Sequence, residues 1–240
     1  METETNKTAR EVELRKPAAQ ELGRRRFSAV ELLIALVALF LFFPFVEEIK
    51  GAELIVSGLF SLVMIAGVLA VAERKRVLVI AIILAIPTIA GRWINHFRPD
   101  LVPPAVFLVG GLVLITLVIV YLLRFILRAP SVNAEVLCAS ISAYLMLGLM
   151  WTMAYWLVDR LTPGGAFSFN TSTGTRSMNG FTGFYFSFIT LSTVGYGDIT
   201  PVSKIARWLA AMEAMTGLLY VAVLIARLVS LYSAPKSNDS

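Results

Sequence analysis

Charge is scarce in this sequence: only 15% of its 240 residues are Asp, Glu, Lys or Arg, against about 25% in an ordinary soluble domain. Cysteine occurs once, at Cys138. It cannot form a disulfide within the chain and reads as a small core side chain. Histidine also occurs once, at His96. The sequence holds no nucleophile–base set, no cluster of metal-ligating residues and no glycine loop for phosphate, so an enzyme is not expected. Disorder is excluded from the opposite side, because it requires low hydrophobicity and high charge.

What is abundant is apolar. Hydrophobic residues make up 58% of the chain, the mean hydropathy is +0.78, and the excess is gathered into long runs. These cover residues 27–46, 54–72, 77–91, 105–123, 136–158 and 208–231, half of the sequence. A single core cannot hide that much, and a span of the ~30 Å hydrocarbon layer needs about 20 residues. The chain therefore reads as an all-α integral membrane protein with six transmembrane helices. The run at 77–91 is short for a span, and Arg76 and Trp93 are placed to reach the two interfaces.

The net charge of +5 follows this layout rather than a nucleic-acid partner. With the amino terminus in the cytoplasm, 14 of the 21 basic residues fall on the inner side, among them Arg24, Arg25, Arg26, Arg74, Lys75, Arg76, Arg124 and Arg128. This is the positive-inside bias, and an even number of spans puts both termini in the cytoplasm of a cell (inner or plasma) membrane. Anionic lipid headgroups are the expected partner of these anchors. Residues 1–26, with five glutamates, read as a cytoplasmic tail rather than a signal peptide. Residues 27–128 hold four closely spaced spans. After the break at Ala129-Pro130-Ser131 a second unit, 131–240, opens with Asn133 as the expected cap of the fifth helix.

Between the last two spans the text changes. Residues 162–180 are rich in Gly, Ser, Thr and Asn and read as an exposed loop. Residues 181–191 are aromatic and apolar yet too short to cross a bilayer. A short apolar helix followed by Gly-rich backbone predicts a re-entrant segment, which survives at membrane depth only where it is buried in protein or lines a watery path.

That segment ends in Thr193-Val194-Gly195-Tyr196-Gly197-Asp198, and it resembles the selectivity filter of the potassium-channel family. The resemblance implies stacked K+ sites made by the backbone carbonyls of Thr193, Val194, Gly195 and Tyr196, with the Thr193 hydroxyl at the inner end and Asp198 at the outer mouth. The permeant ion is the only implied metal; no cofactor is expected. For successive carbonyls to face one way the backbone must alternate in handedness, which Gly195 and Gly197 allow. One chain carries one such strand, so the family's ring of four implies a fourfold homotetramer. Simple bacterial members carry two tryptophans and a glutamate in the pore helix, where this chain has Tyr185, Phe186 and Ile189.

In the sixth run Glu213 is an acid inside an apolar helix, and such a residue is a functional candidate by default. Counting along the family's inner helix puts it behind the filter, where it could bond pore-helix groups or tune the field. The same count puts Gly217 at the family's hinge, and Leu218, Val221, Ile225 and Val229 along the cavity and lower pore. The fourth run, 105–123, contains no Lys or Arg, whereas a voltage sensor carries arginines every third residue. The function expected is a potassium-selective channel conducting passively and without steep voltage gating. The alternatives are a potassium-uptake subunit and a non-conducting regulatory membrane protein.

Overall fold

The computed structural model describes residues 29–46, 52–72, 75–98, 101, 103–170, 178 and 180–232. The expected tail at 1–26 lies outside them. Among the described residues seven helices and one two-stranded ribbon follow in order: α1 (Ala29–Val46), then α2 (Ala52–Ala70), α3 (Lys75–Phe97), α4 (Pro104–Arg128), α5 (Ala134–Leu161), β1 (Phe167–Phe169), α6 (Gly180–Leu191), β2 (Ile199–Pro201) and α7 (Lys204–Tyr232). Five of these, α1, α3, α4, α5 and α7, are long and apolar enough to cross a membrane, and α2 adds a shorter apolar stretch, Leu54–Ala70. The protein is an all-α integral membrane protein.

Helix α3 is longer than its apolar run suggests. It continues through Arg92, Trp93 and His96, so residues 92–97 belong to a helix and not to a loop. The polar groups are satisfied sideways. Arg92 Nε donates to Ser57 Oγ at 3.2 Å, its guanidinium lies 4.7 Å from the centre of the Phe60 ring, and Trp93 Nε1 donates to Ser61 Oγ at 3.2 Å. A cation over an aromatic face loses much of its burial cost.

Asn133 caps α5 as the sequence leads one to expect, its side chain accepting from Val136 N at 2.9 Å. The segment after α5 departs from the loop reading of residues 162–180. Phe167–Phe169 pairs antiparallel with Ile199–Pro201, Phe167 opposite Pro201, and Ala166 and Phe167 are buried. Three-residue strands carry too little alternation to be legible beforehand. The Asp159 carboxylate organises this corner by accepting from Ala166 N at 2.7 Å.

Helix α4 packs on α3 and α5, and α6 is wedged between α5 and α7. Two reciprocal notches set α6 along α5. Phe188 of α6 fills the space over Gly148 of α5, and Trp156 of α5 fills the space over Gly183 of α6, so tightly that a Cβ at either glycine would overlap the ring. On the other side of α6 the α1 phenylalanines make edge-on contacts, Phe40 with Phe184 at 4.7 Å and with Phe188 at 4.5 Å, and Phe43 with Phe184 at 5.2 Å. Such aromatic pairs add about 0.5–1.5 kcal/mol each beyond their buried area. Helix α1 is thus joined to α6 itself.

Candidate functional site

The loop after α6 starts from the unsatisfied carbonyl end of a short helix, which carries partial negative charge. The chain turns back on that end. Thr193 N donates to Thr190 O at 2.9 Å, and Val194 N and Gly195 N both donate to Ile189 O, at 2.9 and 3.1 Å. The N–H groups of the loop's first half are therefore used up behind it.

The conformations then alternate. Thr193 has φ 61°, Gly195 52° and Gly197 80°, while Val194 and Tyr196 keep negative φ. Alternating handedness turns successive carbonyls toward the same side, the arrangement that replaces a cation's water shell. Glycine reaches positive φ without a penalty; Thr193 does so at about 1–2 kcal/mol. Residues 192–197 are all exposed in the single chain.

The outer end is held by side chains. Tyr185 Oη donates to Asp198 Oδ2 at 2.9 Å, and the Tyr185 and Tyr196 rings stack 6.5 Å apart with planes 6° from parallel. Asn170 N donates to Asp198 O at 2.7 Å, which ties the β1 corner to the loop's exit. Tyr185 stands where the resemblance to simple bacterial channels would place a tryptophan, and here its hydroxyl is the donor to Asp198. Tyr185→Phe removes this donor and frees the carboxylate; we expect the outer loop to relax and flux to run down several-fold faster, measured as tracer loss over time in vesicles.

Behind the loop lies a buried polar cluster made by three helices. Glu213 of α7 is fully buried. Tyr155 Oη of α5 donates to Glu213 Oε2. Ser187 Oγ of α6 lies 2.6 Å from Glu213 Oε1 and 2.8 Å from Gly148 O. The hydroxyl of Ser187 has one proton for two acceptors. Both contacts are hydrogen bonds together when the Glu213 carboxyl carries a proton and donates to Ser187, which in turn donates to Gly148 O. The sequence suggested Glu213 as the buried acid; its partners lie 58 and 26 residues away, and only the fold brings them together.

One turn further along α7, Gly217 sits against the end of α6. A Cβ there would overlap the Leu191 carbonyl oxygen, and α7 runs unbroken through the position. Because the obstacle is backbone, Gly217→Ala must push the two helices apart. The expected cost is about 1–3 kcal/mol, read as a lower Tm of the detergent-solubilised protein. Leu218, Val221, Ile225 and Val229 are 65%, 42%, 56% and 57% exposed in the single chain, so α7 leaves this apolar stripe uncovered. Near its end Arg227 Nη2 donates to Leu127 O at 3.1 Å and Ala129 O at 3.0 Å, fastening α7 to the linker before α5.

Helices α5 and α7, the short helix α6 packed against both, and the loop that follows α6 form one contiguous unit. Residues 143–234 match the family model described as "Ion channel". Among curated proteins the chain is similar to "Protein LctB" of Geobacillus stearothermophilus, 51% identical over 45 residues, which is 19% of this chain and 33% of that protein. It is also similar to "Two-pore potassium channel 4" of Arabidopsis thaliana, 45% identical over 47 residues, 20% of this chain and 16% of that protein. The rice "Two pore potassium channel b" is 33% identical over 86 residues, 35% of this chain and 21% of that protein. The chain spans a third or less of the length of these relatives.

Proposed function

We propose that the chain is one subunit of a fourfold homotetrameric, potassium-selective channel that conducts K+ passively across the cell membrane, with both termini in the cytoplasm. The observation that carries this reading is the alternation of φ from Thr193 to Gly197 with the loop's N–H groups tied back to Ile189 and Thr190. Carbonyls arranged this way suit a dehydrated monovalent cation, and four strands are needed to surround it. The potassium-channel names of the plant relatives support the choice of ion. Residues 131–240 act as the pore domain and 27–128 as a flanking membrane domain. Val194 and Tyr196 turn their side chains away from the axis, Asp198 attracts cations to the outer mouth, Gly217 serves as the hinge, and Leu218, Val221, Ile225 and Val229 line the cavity. Glu213 acts through Ser187 as a positioning residue for the pore helix.

The test is ion flux into vesicles holding the purified full chain, with K+ and Na+ compared. K+ uptake should exceed Na+ uptake by at least tenfold; equal uptake would overturn the reading. A transporter would instead saturate at low ion concentration and turn over slowly. Because α4 carries basic residues only at Arg124 and Arg128, open probability should change little between −100 and +100 mV. Each charge moved fully across is worth about 2.3 kcal/mol per 100 mV, so a steep curve would require a sensor elsewhere.

A further inference from the structure

A cavity of about 930 Å³ opens between α3 and α4, within the roughly 300–1,000 Å³ range of small-ligand sites. Its walls are apolar, with Val77 and Ile80 from α3 and Leu112, Val113 and Val120 from α4. Ile80, Val113 and Val120 are each about half exposed, so the groove is open on the side that faces lipid. At one end it is lined by Arg124 and Arg128, one helical turn apart and both exposed. Lys75 and Arg76, immediately before Val77, begin α3 at the same end. No acidic side chain lines the cavity among the described residues.

Like charges at i and i+4 repel, and an anion shared between them removes the repulsion. Guanidinium groups suit a phosphate through paired N–H donors. We propose that this groove holds one anionic phospholipid, its phosphate on Arg124 and Arg128 and an acyl chain along the α3–α4 wall, and that its presence is felt at α7 through Arg227. An apolar face of a second copy would fill the groove but leave four positive charges unanswered; the lipid satisfies both halves. The route to α7 is short. The same end of the groove is lined by Ala129 and Pro130, which follow Arg128, and the Ala129 carbonyl is one of the two that accept from Arg227. Arg227 Nε is itself buried without an acceptor, so this contact is held by Nη2 alone. A lipid that fixes the end of α4 also fixes the end of α7.

The full chain, extracted from 3:1 phosphatidylcholine–phosphatidylglycerol vesicles, is examined by native mass spectrometry. One phosphatidylglycerol per chain should remain bound. In Arg124→Gln/Arg128→Gln its retention should fall by roughly 30-fold, from about fivefold for each charge. Val113→Trp, which fills the groove without changing charge, should lose the lipid as well. Retention equal to that of the parent chain in both variants would mean a general lipid shell and overturn the site. Crosslinking of Val113→Cys to a second copy in place of a photoreactive lipid would overturn it too. For the coupling, K+ flux is compared in vesicles with and without phosphatidylglycerol. A several-fold dependence in the parent chain should vanish in Arg227→Gln while the lipid stays bound; a surviving dependence would refute the link. This flux arm rests on the channel reading above, whereas retention does not. Bound lipid with no K+ flux at all would therefore refute that reading and leave the site standing.

Discussion

Gly195→Ala should abolish K+ flux while leaving the folded protein intact. Gly195 sits at φ 52°, where an L-side chain costs about 1–2 kcal/mol. In the proposed ring the cost recurs in every subunit, so the conducting conformation loses about 4–8 kcal/mol, a thousandfold or more in population at about 1.4 kcal/mol per decade. Sterics alone predict nothing of the kind, because a Cβ at Gly195 meets no atom within 4 Å in its own chain. The two measurements separate accordingly. Flux in vesicles should fall below detection, and the Tm in detergent should stay within a few degrees of the parent. Normal flux in Gly195→Ala would mean that the alternating backbone is not the conduction path.

The second large effect belongs to Glu213→Leu. Tyr155 is fully buried and donates to this carboxyl, and Ser187, also buried, lies against its other oxygen. Removing the acceptor orphans the Tyr155 hydroxyl, at about 1–3 kcal/mol, and weakens the Ser187 link to α7. A loss of about 2–4 kcal/mol per chain follows, seen as a Tm drop of many degrees and poor assembly. Glu213→Gln should be mild, since an amide donates to Ser187 and accepts from Tyr155 as the protonated acid does. Tyr155→Phe in the Glu213→Leu background should add little further loss, because the partner is already gone. If Gln proves as damaging as Leu, the negative charge itself is what the site requires.

The features legible in the sequence are those that depend on near neighbours. Six apolar runs, the Asn133 cap and the short apolar helix before Thr193 are local patterns, and the structure has a helix on each run, several of them extended by three to six residues. The positive φ values at Gly195 and Gly197 were likewise readable from the residue types. Thr193 was not, because threonine has no intrinsic preference for positive φ; the bond from its N–H to Thr190 O holds it there. The length of α3 was misjudged because Arg92 and His96 end the apolar pattern, while Ser57 and Phe60, on another helix, make Arg92 tolerable. The ribbon of Phe167–Phe169 with Ile199–Pro201 joins residues some 30 positions apart. The Tyr155–Glu213 bond spans 58. Such pairings have no signature in a single run of letters.

The two notches between α5 and α6 bear on how the chain can change. Phe188 over Gly148 and Trp156 over Gly183 lie five residues apart along α6, so together they fix how α6, and with it the proposed filter, sits along α5. Neither position can vary alone: a methyl group at 148 demands a smaller ring at 188, and the same exchange holds for 183 and 156. Compensating exchanges of bulk across each pair are therefore the changes that keep the proposed filter in place along α5. A homologue that enlarges one partner without trimming the other would carry its six filter residues intact and still hold them in the wrong place along α5.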